Sequence, residues 1–94
     1  MADWYFETPT TPEAPFAWEI PLSRYRMNRG ISVLEYAPGQ YELARFVPYT
    51  YENELIEAGL QVFRGGYIHT VDDATRTALI NAGIGITASN FTPV

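Results

Sequence analysis

The sequence predicts an α+β domain: a small, mainly antiparallel β-sheet with a C-terminal helix packed on it and an extended, Pro-rich N-terminal arm. Prolines are concentrated near the start, short β-type runs separated by Gly and Pro turns follow, and a capped helical pattern comes later. A chain of 94 residues is long enough for one domain. We divide it into the arm, residues 1–21, a single body, residues 22–86, and a loose C-terminal tail, residues 87–94.

The arm differs from the body in composition. It holds four of the seven prolines, and Pro9, Pro12 and Pro15 follow one another at the three-residue spacing of a polyproline II turn. It also has four carboxylates, no cation and five large aromatic side chains. Solvated linkers are poor in aromatic residues, whereas interfaces are rich in them. We therefore predict that the arm docks onto a neighbouring chain; the alternative is that it folds back and completes its own core.

One basic cluster at the start of the body extends the predicted interface. Arg24 and Arg26 share a face of the first predicted strand, and Arg29 follows them. Because the planar guanidinium of Arg binds carboxylates bidentately, this cluster is suited to acidic groups of a neighbouring chain or of the arm. The alternative is that these arginines serve solubility alone. The predicted interface residues are Trp4, Tyr5, Phe6, Pro9, Pro12, Pro15, Phe16, Trp18, Arg24, Arg26 and Arg29.

Three strands are predicted in the first part of the body. The first follows Leu22, the second covers residues 31–36, and the third covers residues 41–47, before Pro48. The second and third strands are joined by Pro38-Gly39, the residues that a type II turn prefers at its two central positions.

A fourth and a fifth strand are predicted on either side of Gly65-Gly66. Two glycines between β-type runs are typical of a two-residue hairpin, because only Gly adopts positive φ cheaply. The register of such a hairpin places Phe63 opposite Ile68, with Val62 opposite His69 one step further out.

Two helices complete the predicted fold. The first covers residues 50–58 and is closed by Gly59; the second covers residues 73–82, is capped by Thr70 or Asp72, and is ended by Gly83. The predicted core consists of Tyr25, Ile31, Val33, Leu43, Phe46, Leu55, Leu60, Val62, Val71, Ala78 and Leu79.

The composition argues against several functions. A net charge of −5 disfavours nucleic acid as a partner, because such binding depends on neutralising phosphates. No apolar run approaches the roughly 20 residues that span a bilayer, so no membrane partner is expected. The hairpin register places His69, the single histidine, among apolar neighbours, which favours a structural role over that of a general base. We expect no catalytic, cofactor-binding or metal site, and no enzymatic activity.

Several short motifs together resemble a known group of proteins. They are Trp4-Tyr5 with Thr8-Pro9 nearby, Pro21-Leu22-Ser23-Arg24-Tyr25, Arg29-Gly30-Ile31-Ser32-Val33-Leu34, Phe63-Arg64-Gly65-Gly66-Tyr67-Ile68-His69-Thr70-Val71, and Asn81-Ala82-Gly83-Ile84-Gly85. This order resembles the small proteins encoded among the structural genes, often near the tail genes, of tailed phages that infect actinobacteria. The use of Arg for all six cations suits such GC-rich genomes.

The resemblance covers most of residues 4–86 and carries over no catalytic residue. It implies a virion component that is made in the host cytoplasm and sits in the tail or tail tip, with decoration of the capsid as the variant. Its partners would be other virion structural proteins, among them copies of itself. The alternative from the residues alone is a stand-alone module that stacks surface Tyr and Trp on sugars or peptides.

Overall fold

The computed structural model describes residues 3–10, 30–44 and 49–94. Part of the predicted fold lies outside these residues, namely the first strand after Leu22 and the end of the third strand, with the predicted core residues Tyr25 and Phe46. The described elements are β1 (Asp3–Glu7), β2 (Ser32–Ala37), β3 (Gln40–Ala44), α1 (Tyr49–Glu57), β4 (Val62–Phe63), β5 (Ile68–Asp72), α2 (Asp73–Asn81), a 3₁₀ turn (Ala88–Asn90) and β6 (Phe91–Pro93).

These elements form a small α+β fold with two antiparallel three-stranded sheets instead of the single predicted sheet. The first sheet has the order β5-β1-β6, and the second has the order β3-β2-β4. The middle strand of the first sheet is therefore the first strand of the chain, and both of its neighbours come from the last third. In this register Tyr5 lies opposite Thr70 on one side and Thr92 on the other.

Residues 3–10 belong to the body, so the predicted arm is wrong for this part of the chain. Phe6 is fully buried; its ring stacks on Phe91 at 5.0 Å and meets Phe63 edge-on at 5.2 Å. The physical reason is the alternation within β1, which turns Trp4 and Phe6 towards the core and exposes the residues between them. The remainder of the arm, residues 11–21, lies outside the described residues.

The predicted loose tail is also wrong. β6 pairs with β1, Phe91 is buried in the core, and the N–H of Val94 donates to the carbonyl of Asp3 at 3.1 Å. A single buried aromatic ring and a few ladder hydrogen bonds order a strand too short to show a pattern in the sequence.

Gly65-Gly66 forms a turn, but the predicted hairpin is wrong. The N–H of Tyr67 donates to the carbonyl of Arg64 at 3.4 Å, which closes the turn. Of the two glycines, Gly66 alone has a positive φ, 86°. A positive φ at the second central position is the type II arrangement, and its twist does not match that of two paired strands.

The strands on either side of this turn pair with other strands. β4 pairs with β2, which places Phe63 opposite Val33, and β5 pairs with β1, which places His69 opposite Phe6. The predicted pairs Phe63–Ile68 and Val62–His69 do not form. The turn therefore carries the chain from one sheet to the other.

The predicted turn at Pro38-Gly39 and the predicted end of the first helix are confirmed. Gly39 has a φ of 74°, and Gly59 has a φ of 82°. At the end of α1 the N–H of Leu60 donates to the carbonyl of Leu55 at 2.8 Å, and the side chains of these two leucines belong to one apolar cluster. This is the Schellman arrangement, in which glycine lets the chain reverse and satisfies the last carbonyls.

Asp72, one of the two predicted caps, starts α2. Its carboxylate accepts a hydrogen bond from the N–H of Thr75 at 2.8 Å. α2 packs against β1 and β5 of the first sheet through Leu79. It is not the last element, because the 3₁₀ turn and β6 follow it.

The core lies on both faces of the second sheet. Successive residues of β2 point to opposite faces and take part in different clusters. Val33 belongs to the cluster between the sheets, and Leu34 belongs to a smaller cluster under α1. The predicted core residues found buried are Ile31, Val33, Leu43, Leu55, Val71 and Leu79. Leu60, Val62 and Ala78 are partly buried against these clusters. Buried residues missing from the prediction include Phe6, Leu34, Tyr41, Phe63, Ile86 and Phe91.

Candidate functional site

The first sheet presents an exposed face on the side opposite the core. Since side chains alternate along each strand, this face is formed by the residues between the buried ones. We call it the outer face and define it as Asp3, Tyr5, Glu7, Ile68, Thr70, Asp72 and Thr92. Two of its members are large and apolar: Tyr5 is 43% exposed and Ile68 is 67% exposed.

A shallow cavity of about 290 Å³ lies at one end of the outer face. Its lining combines the ring of Tyr5 and the side chain of Ile68 with hydroxyl, amide and carboxylate groups. The lining residues are Tyr5, Glu7, Ile68, Ser89, Asn90 and Thr92. The cavity therefore offers apolar surface framed by polar groups, the usual anatomy of a contact site.

Asn90 fixes the rim of this cavity. Its amide nitrogen donates to the carbonyl of Glu7 at 3.1 Å, and its amide oxygen accepts from the N–H of Thr87 at 3.0 Å. The 3₁₀ turn is thereby tied to the end of β1 before any partner arrives. Both ends of the Asn90 amide are engaged within the chain, so this side chain serves as a support for the rim.

Trp4, on the opposite face of β1, joins that strand to α2. Its indole N–H donates to the carboxylate of Asp73, and the guanidinium of Arg76 lies 4.2 Å from the centre of its ring. An arginine over an indole ring is a favourable cation–π arrangement. Trp4 therefore holds the first turn of α2 against β1, and one side of its ring is covered.

The described surface is strongly acidic. Nine of the eleven carboxylates, but two of the six arginines, lie among the described residues. Both of these arginines are engaged, Arg64 in an ion pair with Glu52 and Arg76 over Trp4. A partner with basic groups would complement this surface.

Within the described residues, the pKa values of three groups are shifted by their surroundings in the fold. The N–H of Thr75 lowers the pKa of Asp72 by hydrogen bonding to its carboxylate. Burial raises the pKa of Tyr41, and the neighbouring Glu35 raises it further. Burial likewise raises the pKa of Tyr51.

The side chain of His69 lies against a backbone carbonyl and an aromatic ring. Its Nε2 lies 3.2 Å from the carbonyl oxygen of Arg64, and its ring meets Phe63 edge-on at 5.4 Å.

Among residues 3–10, 30–44 and 49–94, no three His, Asp or Glu side chains converge in a way that could hold a metal ion. In the same part of the chain, no helix has the length and apolar character needed to cross a membrane.

The predicted interface residues separate into three groups. Tyr5 lies on the outer face, whereas Trp4 is partly buried against α2 and Pro9 is partly buried with its carbonyl bonded to Ile31. Phe6 is fully buried and offers no surface to a partner in this arrangement, so its predicted place on a free arm is corrected. Those outside the described residues are Pro12, Pro15, Phe16, Trp18, Arg24, Arg26 and Arg29.

Of the six residues that line the cavity, the sequence prediction selected Tyr5 and missed Glu7, Ile68, Ser89, Asn90 and Thr92. Ile68 carried a usable signal, because period-two alternation in a strand whose Val71 is buried turns Ile68 outwards. Asn90 and Thr92 carried none, because they reach the site through the pairing of β6 with β1.

Comparison with known proteins finds no matching family model, curated protein or solved structure.

Proposed function

We propose that this protein is a non-catalytic structural subunit of a tailed-phage particle that docks onto neighbouring virion proteins in the tail or tail tip, with capsid decoration as the variant. The observation that supports docking is the outer face, where the exposed side chains of Tyr5 and Ile68 line one cavity together with polar groups. Exposed apolar side chains grouped on one face are typical of protein contact sites.

The charge distribution indicates the kind of neighbour. Asp3, Glu7 and Asp72 lie on the outer face itself, so a subunit that covers it should bring Arg or Lys to the rim and apolar groups to the centre. We include residues 11–21 in the proposed docking surface, on the strength of their aromatic and proline content alone.

The first test is mass spectrometry of purified particles, with the copy number of this chain. The proposal expects a fixed number of copies per particle. A chain that is absent from particles, or present only in traces that washing removes, would contradict it.

The second test asks whether the outer face is the docking surface. Ile68→Gln removes exposed apolar surface at the cavity, and Ile56→Gln makes the same change on α1, where Ile56 is 54% exposed. We expect Ile68→Gln to reduce incorporation into particles by about tenfold, the effect of roughly 1.4 kcal/mol of lost contact energy. Ile56→Gln should incorporate normally, and equal incorporation of both variants would exclude the outer face.

The second candidate function is the ligand-binding module. It is favoured by the position of the Tyr5 ring beside the hydroxyls of Ser89 and Thr92, since aromatic rings with polar neighbours can bind sugars. The two candidates differ in a titration of the purified chain with sugars and short peptides. The docking proposal expects no saturable binding, whereas binding that Tyr5→Ala abolishes would favour the module.

A further inference from the structure

The connection between β1 and the rest of the chain carries a further inference. Residues 11–29 join Thr10 to Gly30, and nineteen residues can span on the order of 60 Å when extended. The two ends of this connection nevertheless meet, because the N–H of Ile31 donates to the carbonyl of Pro9 at 2.7 Å. The strand is thus tied to its own body by a connection far longer than the gap it bridges.

The contacts that hold β1 do not depend on which copy of the chain supplies it. Phe6 packs on Phe63 and Phe91, and Trp4 contacts residues of α2. Both strand neighbours, β5 and β6, also lie beyond the connection. A second copy could therefore insert its own β1 between β5 and β6 with the same hydrogen bonds and the same ring contacts.

We propose that β1 is exchanged between copies of this chain when they are held close together, so that residues 3–10 of one copy complete the first sheet of its neighbour. The inference rests on the proposed docking role for its setting, because a particle holds subunits side by side. Exchange of an identical element is a low-cost route to association, since each lost contact is regained in the partner.

The local concentration of the protein decides whether β1 pairs within its own chain or with a second copy. The connection sets an effective concentration at which β1 meets its own body, and a second copy competes when its local concentration exceeds that value. Pro-rich linkers are extended in general, so from the sequence we expect Pro12, Pro15 and Pro21 to lower this effective concentration. An isolated chain meets no second copy and keeps its own strand, whereas crowded chains exchange it because the second copy then exceeds the effective concentration.

The test uses the double variant Tyr5→Cys, Thr92→Cys. These residues lie opposite each other on β1 and β6, at a separation that a disulfide can bridge, and the chain has no other cysteine. The purified variant is refolded from denaturant over a range of protein concentrations, oxidised and run on a non-reducing gel. We expect single cross-linked chains at low concentration, and covalent dimers or longer ladders that increase with concentration.

The control is Ala37→Cys, Gln40→Cys, a pair that faces across the turn between β2 and β3. Both positions follow the connection, so this disulfide should stay within one chain at every concentration. Exchange is overturned if the Tyr5–Thr92 pair also stays within one chain at the highest concentration reached, or if the control gives as much dimer. Tyr5→Cys with Thr70→Cys, on the β5 side, repeats the test should the first pair prevent folding.

A change in the connection provides an independent measurement. Replacing Pro12, Pro15 and Pro21 by glycine makes the connection more flexible and raises the effective concentration of a chain's own strand. In the Tyr5–Thr92 double variant, the concentration that cross-links half of the chains should then rise several-fold. An unchanged or lower half-point contradicts the proposal. All of these assays use the purified chain, so their failure is distinguishable from absence of the protein from particles.

Discussion

At the scale of single residues, the backbones of Gly30 and Gly65 pass so close to each other that there is no room for a side chain on Gly65. A side chain on Gly65 would overlap the carbonyl group of Gly30 and approach the nitrogen of Ile31 to 2.9 Å. The N–H of Gly65 also donates to the fully buried hydroxyl of Ser32 at 3.0 Å. Gly65 is thus required by close approach of two backbones, and Gly66 by its positive φ.

Gly65→Ala should therefore destabilise the protein more than Gly39→Ala. At Gly65 the new methyl group meets backbone that cannot move aside, and we expect a loss of about 3 kcal/mol or more. At Gly39 nothing lies within 4 Å, so the cost is that of a positive φ, about 1 kcal/mol. The free energy of unfolding in urea measures both, and equal losses would show that the two backbones do not pass so close at Gly65.

Asp72 gives the stability a pH dependence of known sign. Its pKa is lowered in the folded state, so its stabilisation is present above the ordinary aspartate pKa of about 3.9 and is lost as the pH falls through the lower, folded value. Asp72→Asn keeps a capping oxygen without the charge. The difference in free energy of unfolding between the wild type and Asp72→Asn should be largest near neutral pH and vanish in acid. Asp3→Asn, an exposed change on β1, controls for general loss of charge.

At the scale of elements, local signals in the sequence predicted local structure well. The Pro38-Gly39 turn, the Gly59 helix end and the Asp72 cap depend on neighbouring residues, and all three are present. The pairing of strands depends on distant residues, and it was predicted wrongly at Gly65-Gly66, at β1 and at β6. The outer face joins strands from both ends of the chain, so Tyr5 could be selected from the sequence but its neighbours Asn90 and Thr92 could not.

β1 should be indispensable for folding. A chain that starts at Ile20 lacks the middle strand of the first sheet and the buried ring of Phe6, whose removal alone costs about 3–5 kcal/mol. We expect this chain to show no cooperative thermal transition by circular dichroism. A peptide of residues 1–10 added in excess should restore one. A truncated chain that melts like the wild type would show that β1 belongs to an independent arm after all.

At the scale of the whole molecule, residues near the two ends of the chain are neighbours. The hydrogen bond from Val94 to Asp3 and the pairing of Trp4 with Pro93 place the end of β6 beside the start of β1. These two strands could therefore be joined as a hairpin without moving either of them.

A circular permutant tests this arrangement against the truncated chain. It starts at Ile20, like the truncation, but carries residues 1–19 after Val94 through a short Gly-Ser linker. We expect it to fold, with a melting temperature within roughly 8 °C of the wild type, which corresponds to about 1 kcal/mol. Because β1 is then held next to β6, cysteines at Tyr5 and Thr92 should stay within one chain. An unfolded permutant would contradict the proximity of β1 and β6.

The position of β1 has a consequence for the order of events during synthesis. Residues 3–7 leave the ribosome long before their two strand neighbours, which end at residues 72 and 93. The first sheet therefore cannot close until residue 93 has been translated, and until then β1 lacks at least one of its two strand neighbours. Neighbouring ribosomes on one message would hold several such incompletely paired strands close together. A chain's own β1 and that of a sister chain would therefore already compete during translation.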